Sequence, residues 1–233
     1  MKPVFLIPAL VFALLLTGCY EEDFGPRQSG SRTFTFVDFD RIEIEDAFEV
    51  TITQGTQFSV KAEGDYRNLD DMRVYKSGST LEIEYEDNSN RQYTTYITIT
   101  MPVLYEANFS GAVNATINGF RNIDEFSAIL SGASLAQIDV AATKSDLRLS
   151  GASRVRVTGQ ATTLNASLSG ASTLSGYEFP VKTARLIISG ASQARVTVAD
   201  RLSGEVTGAS ELTYKGDPQV SVEASGGSTV RRF

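Results

Sequence analysis

Seven copies of one tetrapeptide run down the second half of this 233-residue chain. They are Ser110-Gly111-Ala112-Val113, Ser131-Gly132-Ala133-Ser134, Ser150-Gly151-Ala152-Ser153, Ser169-Gly170-Ala171-Ser172, Ser189-Gly190-Ala191-Ser192, Thr207-Gly208-Ala209-Ser210 and Ser225-Gly226-Gly227-Ser228. Successive copies start 21, 19, 19, 20, 18 and 18 residues apart. A unit of that length cannot bury a core alone and is too short for a helix pair or a propeller blade. It suits one coil of a solenoid, stabilised by stacking on its neighbours.

Alignment of the copies on their first residue shows what each coil is made of. The residue before it is Phe109, Leu130, Leu149, Leu168, Ile188, Val206 or Ala224, and two residues earlier the column is again small or apolar. Five residues after it come Ala115, Ala136, Val155, Leu174, Ala194, Leu212 and Val230, flanked by mostly polar columns. Alternation with period two is the signature of half-buried strands. The tetrapeptide then reads as the corner between strands. Its glycine supplies a positive φ, its alanine faces a crowded turn, and its serines bond to backbone or to each other along the stack. Strands of successive coils pair about 4.8 Å apart, so the seven corners span roughly 29 Å.

Histidine and tryptophan are absent, and Cys19 is the single cysteine. Ser-His-Asp and Cys-His nucleophilic mechanisms are therefore excluded within one chain, as are the usual zinc sites, and no cofactor is expected. Residues 19–108 carry a net charge of −10 and residues 109–233 a net of +2, which with Lys2 gives −7 overall. So acidic an N-terminal part lacks the basic footprint that nucleic acid requires.

Residues 1–18 read as a targeting segment, with Lys2 followed by an apolar run from Val4 to Leu16 that is too short for a membrane span. Leu16-Thr17-Gly18-Cys19 resembles the lipobox of bacterial lipoproteins, which implies cleavage before Cys19, lipidation of it, and attachment to a membrane through that lipid. The following Tyr20-Glu21-Glu22-Asp23 is similar to the export tag of surface lipoproteins in the Bacteroidetes, which implies display on the outer face of the outer membrane. Residues 19–32, acidic and then rich in Gly, Pro and Ser, read as a flexible tether.

The segment 33–108 is also β-rich but lacks the tetrapeptide. Strands are expected at 33–39, 41–45, 48–53, 58–62, 72–76, 80–86 and 93–101, with a single helical turn at 66–71. In 80–86 Leu81, Ile83 and Tyr85 alternate with Glu82, Glu84 and Glu86, so one face is buried and the other acidic. Two arrangements are open for this segment, irregular coils of the solenoid or a separate sandwich. The pattern Phe39-x-x-Ile42, Phe48-x-Val50, Gln54-Gly55, Gly64-Asp65, Leu81-x-Ile83 and Ile97-x-Ile99-x-x-Pro102, followed by Ser-Gly-Ala-Ser repeats, resembles the auto-transporter adhesin "head GIN" domain family. The resemblance covers roughly residues 36–228. It implies an all-β, right-handed parallel β-helix from an exported bacterial protein, and it carries over no catalytic or ligand residues.

Three functions are compatible with these features. An adhesive or recognition module would use the exposed strand after each corner, where Arg154, Arg156, Gln193, Arg195 and Arg231 form a basic strip suited to acidic glycans or protein carboxylates. A polysaccharide-active enzyme would need convergent carboxylates or a calcium-held substrate. Yet Asp124, Asp139, Asp146 and Asp200 fall in different registers of the repeat, Asp70 and Asp71 diverge, and Asp87-Asn88-Ser89-Asn90 reads as a turn. A structural scaffold would pair its stack end to end with another protein. The expectation is a lipid-anchored, non-enzymatic recognition module.

Overall fold

The computed structural model describes residues 25–87 and 89–233. Every motif glycine lies in the left-handed region, with φ between 67° and 78°. The same glycines stack. The carbonyls of Gly111, Gly132, Gly151, Gly170 and Gly190 accept the N–H of the motif alanine one coil further on, at 2.7–2.8 Å. A Cβ added to Gly132, Gly151, Gly170, Gly190 or Gly208 would lie 2.4–2.5 Å from the glycine carbonyl oxygen of the preceding coil. Positive φ and close backbone approach thus both select glycine.

The rest of the corner differs from expectation in one respect. The motif alanine faces solvent, and it is the fourth residue that turns inward, so Ser134, Ser153, Ser172 and Ser192 are fully buried. The reversal at glycine swings the next side chain out and the following one in. Serine suits this interior position because its hydroxyl can satisfy a corner carbonyl: Ser153 Oγ donates to Ser150 O and Ser172 Oγ to Ser169 O, both at 2.8 Å.

In chain order the elements are β1 (Ser29–Phe34), β2 (Arg41–Ile44), β3 (Phe48–Gln54), β4 (Ser59–Asp65), the one-turn helix α1 (Tyr66–Asp70), β5 (Met72–Ser77), β6 (Thr80–Tyr85), β7 (Thr95–Met101) and β8 (Glu106–Phe109). Five long strands follow: β9 (Asn114–Leu130), β10 (Leu135–Leu149), β11 (Arg154–Leu168), β12 (Thr173–Ile188) and β13 (Gln193–Val206). Then come β14 (Glu211–Lys215), β15 (Gln219–Ala224) and β16 (Thr229–Arg232). Each long strand runs from one corner to the next and pairs in parallel with the coils on either side. Burial has period two near each corner but period three at Ile117, Phe120, Ile123 and Phe126, where β9 bends. Register shifts in mid-strand, as between Gly176 and Pro180, absorb the differences in coil length.

The N-terminal segment joins the same solenoid. β2 and β3 stack in parallel beneath β8 and β9, with Ile44 beside Phe109 and Glu49 beside Asn114. β6 and β7 stack in parallel on the other side of β2 and β3. The coil 41–54 is therefore threaded between two coils formed later in the chain. Its corner has no glycine: Asp46, at φ 72°, takes that place, accepting Ala112 N–H at 3.2 Å through its carbonyl and Tyr85 N–H at 3.0 Å through its side chain. Asp tolerates this conformation by bonding locally. One hydrophobic core runs from Phe39 to Leu212, so the segment is not a separate sandwich.

This end of the stack is closed by antiparallel strands. β5 pairs with β6, β4 with β7 and β1 with β4. The strand β1 begins inside the stretch expected as tether, because Gly30, set opposite Gly64, lets the chain lie against Leu69 and Tyr66. Before it, Tyr93 Oη donates to Gly25 O at 2.8 Å and Tyr66 N–H to Gln28 O at 2.8 Å. Asp65 is 1% exposed and accepts hydrogen bonds from the guanidinium and N–H of Arg67 and from Gln28 N–H. The Arg67 side chain holds its carboxyl well below the usual carboxylate range; burial opposes this and the two amides add to it.

Two outcomes follow from these contacts. Gly151→Ala should lower stability by at least about 2 kcal/mol, through left-handed strain and the carbonyl contact, whereas Ala152→Ser should change it by less than about 0.5 kcal/mol. Denaturant midpoints decide, and equal effects would remove the corner from its structural role. Asp65 titrates lower when folded than unfolded, so the stability it contributes is present above about pH 4 and is lost as pH falls through the folded value. Asp65→Asn should thus be less stable than the native chain at pH 7, with the gap closing in acid; a gap independent of pH would refute the charge-based account.

Candidate recognition surface

Two sheet faces flank the line of corners. On the face after the corners, parallel register sets Arg156, Ser175, Arg195, Thr213 and Arg231 in one column, and Arg154, Thr173, Gln193, Glu211 and Thr229 in the next. The register therefore brings all five residues of the basic strip onto one face. The arginines of the first column recur at every second coil, about 10 Å apart.

Their electrostatic environment is less uniform than the sequence suggests. Arg156 pairs with Glu178 at 2.8 Å. Arg231 pairs with Glu211 and also donates to Thr213 Oγ1 at 3.3 Å. Arg195 donates to Gln193 Oε1 at 3.5 Å, and the Arg154 guanidinium makes no hydrogen bond or ion pair among the described residues. The strip is thus partly neutralised by its own acids. Glu178 was invisible to a fixed repeat, since the register shift between Gly176 and Pro180 places it; the 20-residue interval after Ser169 is its sequence signal. Arg156, Ser175, Tyr177, Glu178 and Arg195 line a shallow depression, beside which Lys215 Nζ sits 4.4 Å from the Tyr177 ring.

Charge is polarised along the stack. On the face before the corners, Glu82 lies beside Glu43 and Glu106 lies near it at the N-terminal end. Partial burial, then the neighbouring carboxylates of Glu82, Glu45 and Glu106, push the Glu43 carboxyl up, while Asn108 Nδ2, donating at 3.0 Å, works against the shift.

Of the acids that could have formed a catalytic pair, Asp124 and Asp146 line one shallow depression with Glu106 and Glu125, where Lys144 bridges Glu125 and Asp146; Asp70, Asp71, Asp87 and Asp139 are engaged apart from it. Asp139 pairs with Arg121 at 2.7 Å, and Asp146 with Lys144 at 2.9 Å and Asn165 at 2.7 Å. Asp70 pairs with Arg32 and Asp71 with Arg91, so the two diverge. Asp87 accepts Ser89 N–H at 2.8 Å and pairs with Arg91 at 3.2 Å, the arrangement of a stapled turn; Asn88 lies outside the described residues. Among the described residues no three His, Cys, Asp or Glu side chains are grouped to hold a metal ion. Cys19 and the leader also lie outside them, and no helix within them is long and apolar enough to cross a membrane.

Solved structures from Bacteroides and Parabacteroides species share this architecture. A protein from Bacteroides fragilis described as a putative adhesin superposes with a TM-score of 0.81 at 17% identity, covering 89% of this chain and 98% of that one. A second putative adhesin, from Parabacteroides distasonis, gives 0.73 at 19% identity over 90% and 98%. A protein of the same species described as a putative lipid binding protein gives 0.68 at 17% identity over 88% and 96%. At these identities the likeness establishes the fold alone. No curated protein matches the chain. The family model described as "Putative auto-transporter adhesin, head GIN domain" matches residues 38–218, from the threaded coil to the end of β14, and the chain belongs to that family.

Proposed function

We propose that this chain is a lipid-anchored recognition protein of the bacterial outer surface, that it carries out no covalent chemistry, and that its ligands are anionic. The observation that carries the reading is the basic strip set by parallel register on one exposed face. Columns of side chains at fixed spacing suit multivalent contact, and guanidinium groups suit planar carboxylates. Membership of an adhesin-like family supports export, and the Leu16-Thr17-Gly18-Cys19 sequence supports Cys19 as the lipidated residue. The ion pairs that hold Asp139 on Arg121 and both Glu125 and Asp146 on Lys144 speak against glycosidic bond cleavage, which needs two free acids facing one substrate.

Antibody labelling of intact cells tests the placement, with a periplasmic protein as the control for integrity. The native chain should be labelled without permeabilisation, and Cys19→Ala should leave the membrane fraction. Labelling only after the outer membrane is broken would overturn surface display and favour a periplasmic scaffold. For the strip, replacing Arg154, Arg156 and Arg195 with Ser should weaken binding to cells or matrices bearing acidic polymers; unchanged binding would remove these residues from the function.

A further inference from the structure

The sheet before the corners carries cations that the strip does not include. Arg148, Arg185 and Arg201 are all exposed. None of their guanidiniums makes a hydrogen bond or ion pair among the described residues, whereas Arg156 and Arg231 on the other face are held by Glu178 and Glu211. The register arranges the three as a diagonal. Arg148 stands beside Ser167, which stands beside Ile187; Arg185 lies two residues before Ile187; and Arg201 stands beside Thr183, two residues before Arg185. With about 4.8 Å per coil and 3.3 Å per residue, Arg148 and Arg185 are roughly 12 Å apart at the backbone, and Arg185 and Arg201 about 8 Å.

Between the first two runs a shallow groove lined by Arg148, Asn165, Ser167, Arg185 and Ile187, with Asp146 at its edge. Asp146 takes its hydrogen bond from Asn165 and its ion pair from Lys144, and the charge of Arg148 attracts it without forming a bond. Its partial burial alone would raise its carboxyl, but the hydrogen bond from Asn165 and the ion pair with Lys144 hold it below the usual range. Ile187, 44% exposed, offers an apolar surface beside these polar groups.

We propose that this groove is a binding site for an acidic polysaccharide, with Arg148, Arg185 and Arg201 taking successive carboxylates. Unpaired guanidiniums are the groups that gain most from a planar anion, since no internal partner must be displaced. Asn165 and Ser167 match the hydroxyls of a sugar, and Ile187 matches its C–H face. A polypeptide fits less well. The backbone on this face is already paired within the parallel ladder, so a peptide finds no main-chain partner and cannot add as a strand. The proposal deepens the anionic-ligand reading, on which it rests, and assigns it to a different face from the strip.

The test measures binding of the full chain, at low and physiological salt, to polygalacturonate, to polyglutamate and to a neutral galactan. Arg148→Ser/Arg185→Ser/Arg201→Ser is compared with Arg154→Ser/Arg195→Ser; all five positions lie on the surface, and circular dichroism checks that both variants fold. The native chain should prefer polygalacturonate to both other polymers. The triple variant should lose at least about tenfold in affinity for polygalacturonate, several times more than the strip variant loses. Loss confined to the strip variant would overturn the groove and leave the anionic reading standing. Equal binding of polyglutamate would overturn the polysaccharide assignment in favour of an acidic protein. No binding of either acidic polymer by the native chain would overturn both readings.

Discussion

The hydrogen bonds from Ala133, Ala152, Ala171, Ala191 and Ala209 to the glycine carbonyl of the preceding coil, at 2.7–2.8 Å, govern this architecture. A parallel solenoid is easy to stack along its straight strands and hard to stack at its bends, where diverging carbonyls leave the ladder unsatisfied. Here the ladder passes through the bend. Glycine permits both the reversal and the approach, and at Ser153 and Ser172 the buried serine satisfies a carbonyl inside it. With the corners fixed, differences in coil length move to mid-strand, where they appear as register shifts and displaced side chains such as Glu178.

Most of this was readable from the residues because in-register stacking writes itself into columns. The inward columns before and after each corner, from Phe109 to Val206 and from Ala115 to Leu212, are buried as the alternation implied. The orientation within the corner was not readable: Ala and Ser are both small, and only the backbone path decides which one faces in. The threaded coil was hidden for a different reason. Asp46 does the work of glycine there, and Phe48 rather than Ser fills the inward corner position, so residues 41–54 share the fold of the repeat without its spelling.

Surface chemistry was legible to a lesser degree. Register placed the strip correctly on one face, but pairing depends on acids that lie off the repeat, and those neutralise part of it. A column analysis that asks only which positions are buried also passes over the face before the corners, where Arg148, Arg185 and Arg201 keep their charge unpaired. On a flat sheet, what distinguishes one polar column from another is whether its charges are already spent on neighbours.

The docking of Gly25–Gln28 against the antiparallel cap bears on how the molecule stands. Gly25 lies six residues after Cys19, a stretch that reaches at most about 20 Å even when fully extended. A lipid on Cys19 would therefore act as a short leash fixed to the base of the solenoid. It would hold the acidic, capped end against the bilayer and raise the glycine-cornered coils away from it, over a height of roughly 29 Å. Such a pillar would present its later coils outermost, and those are the coils that carry the unpaired arginines.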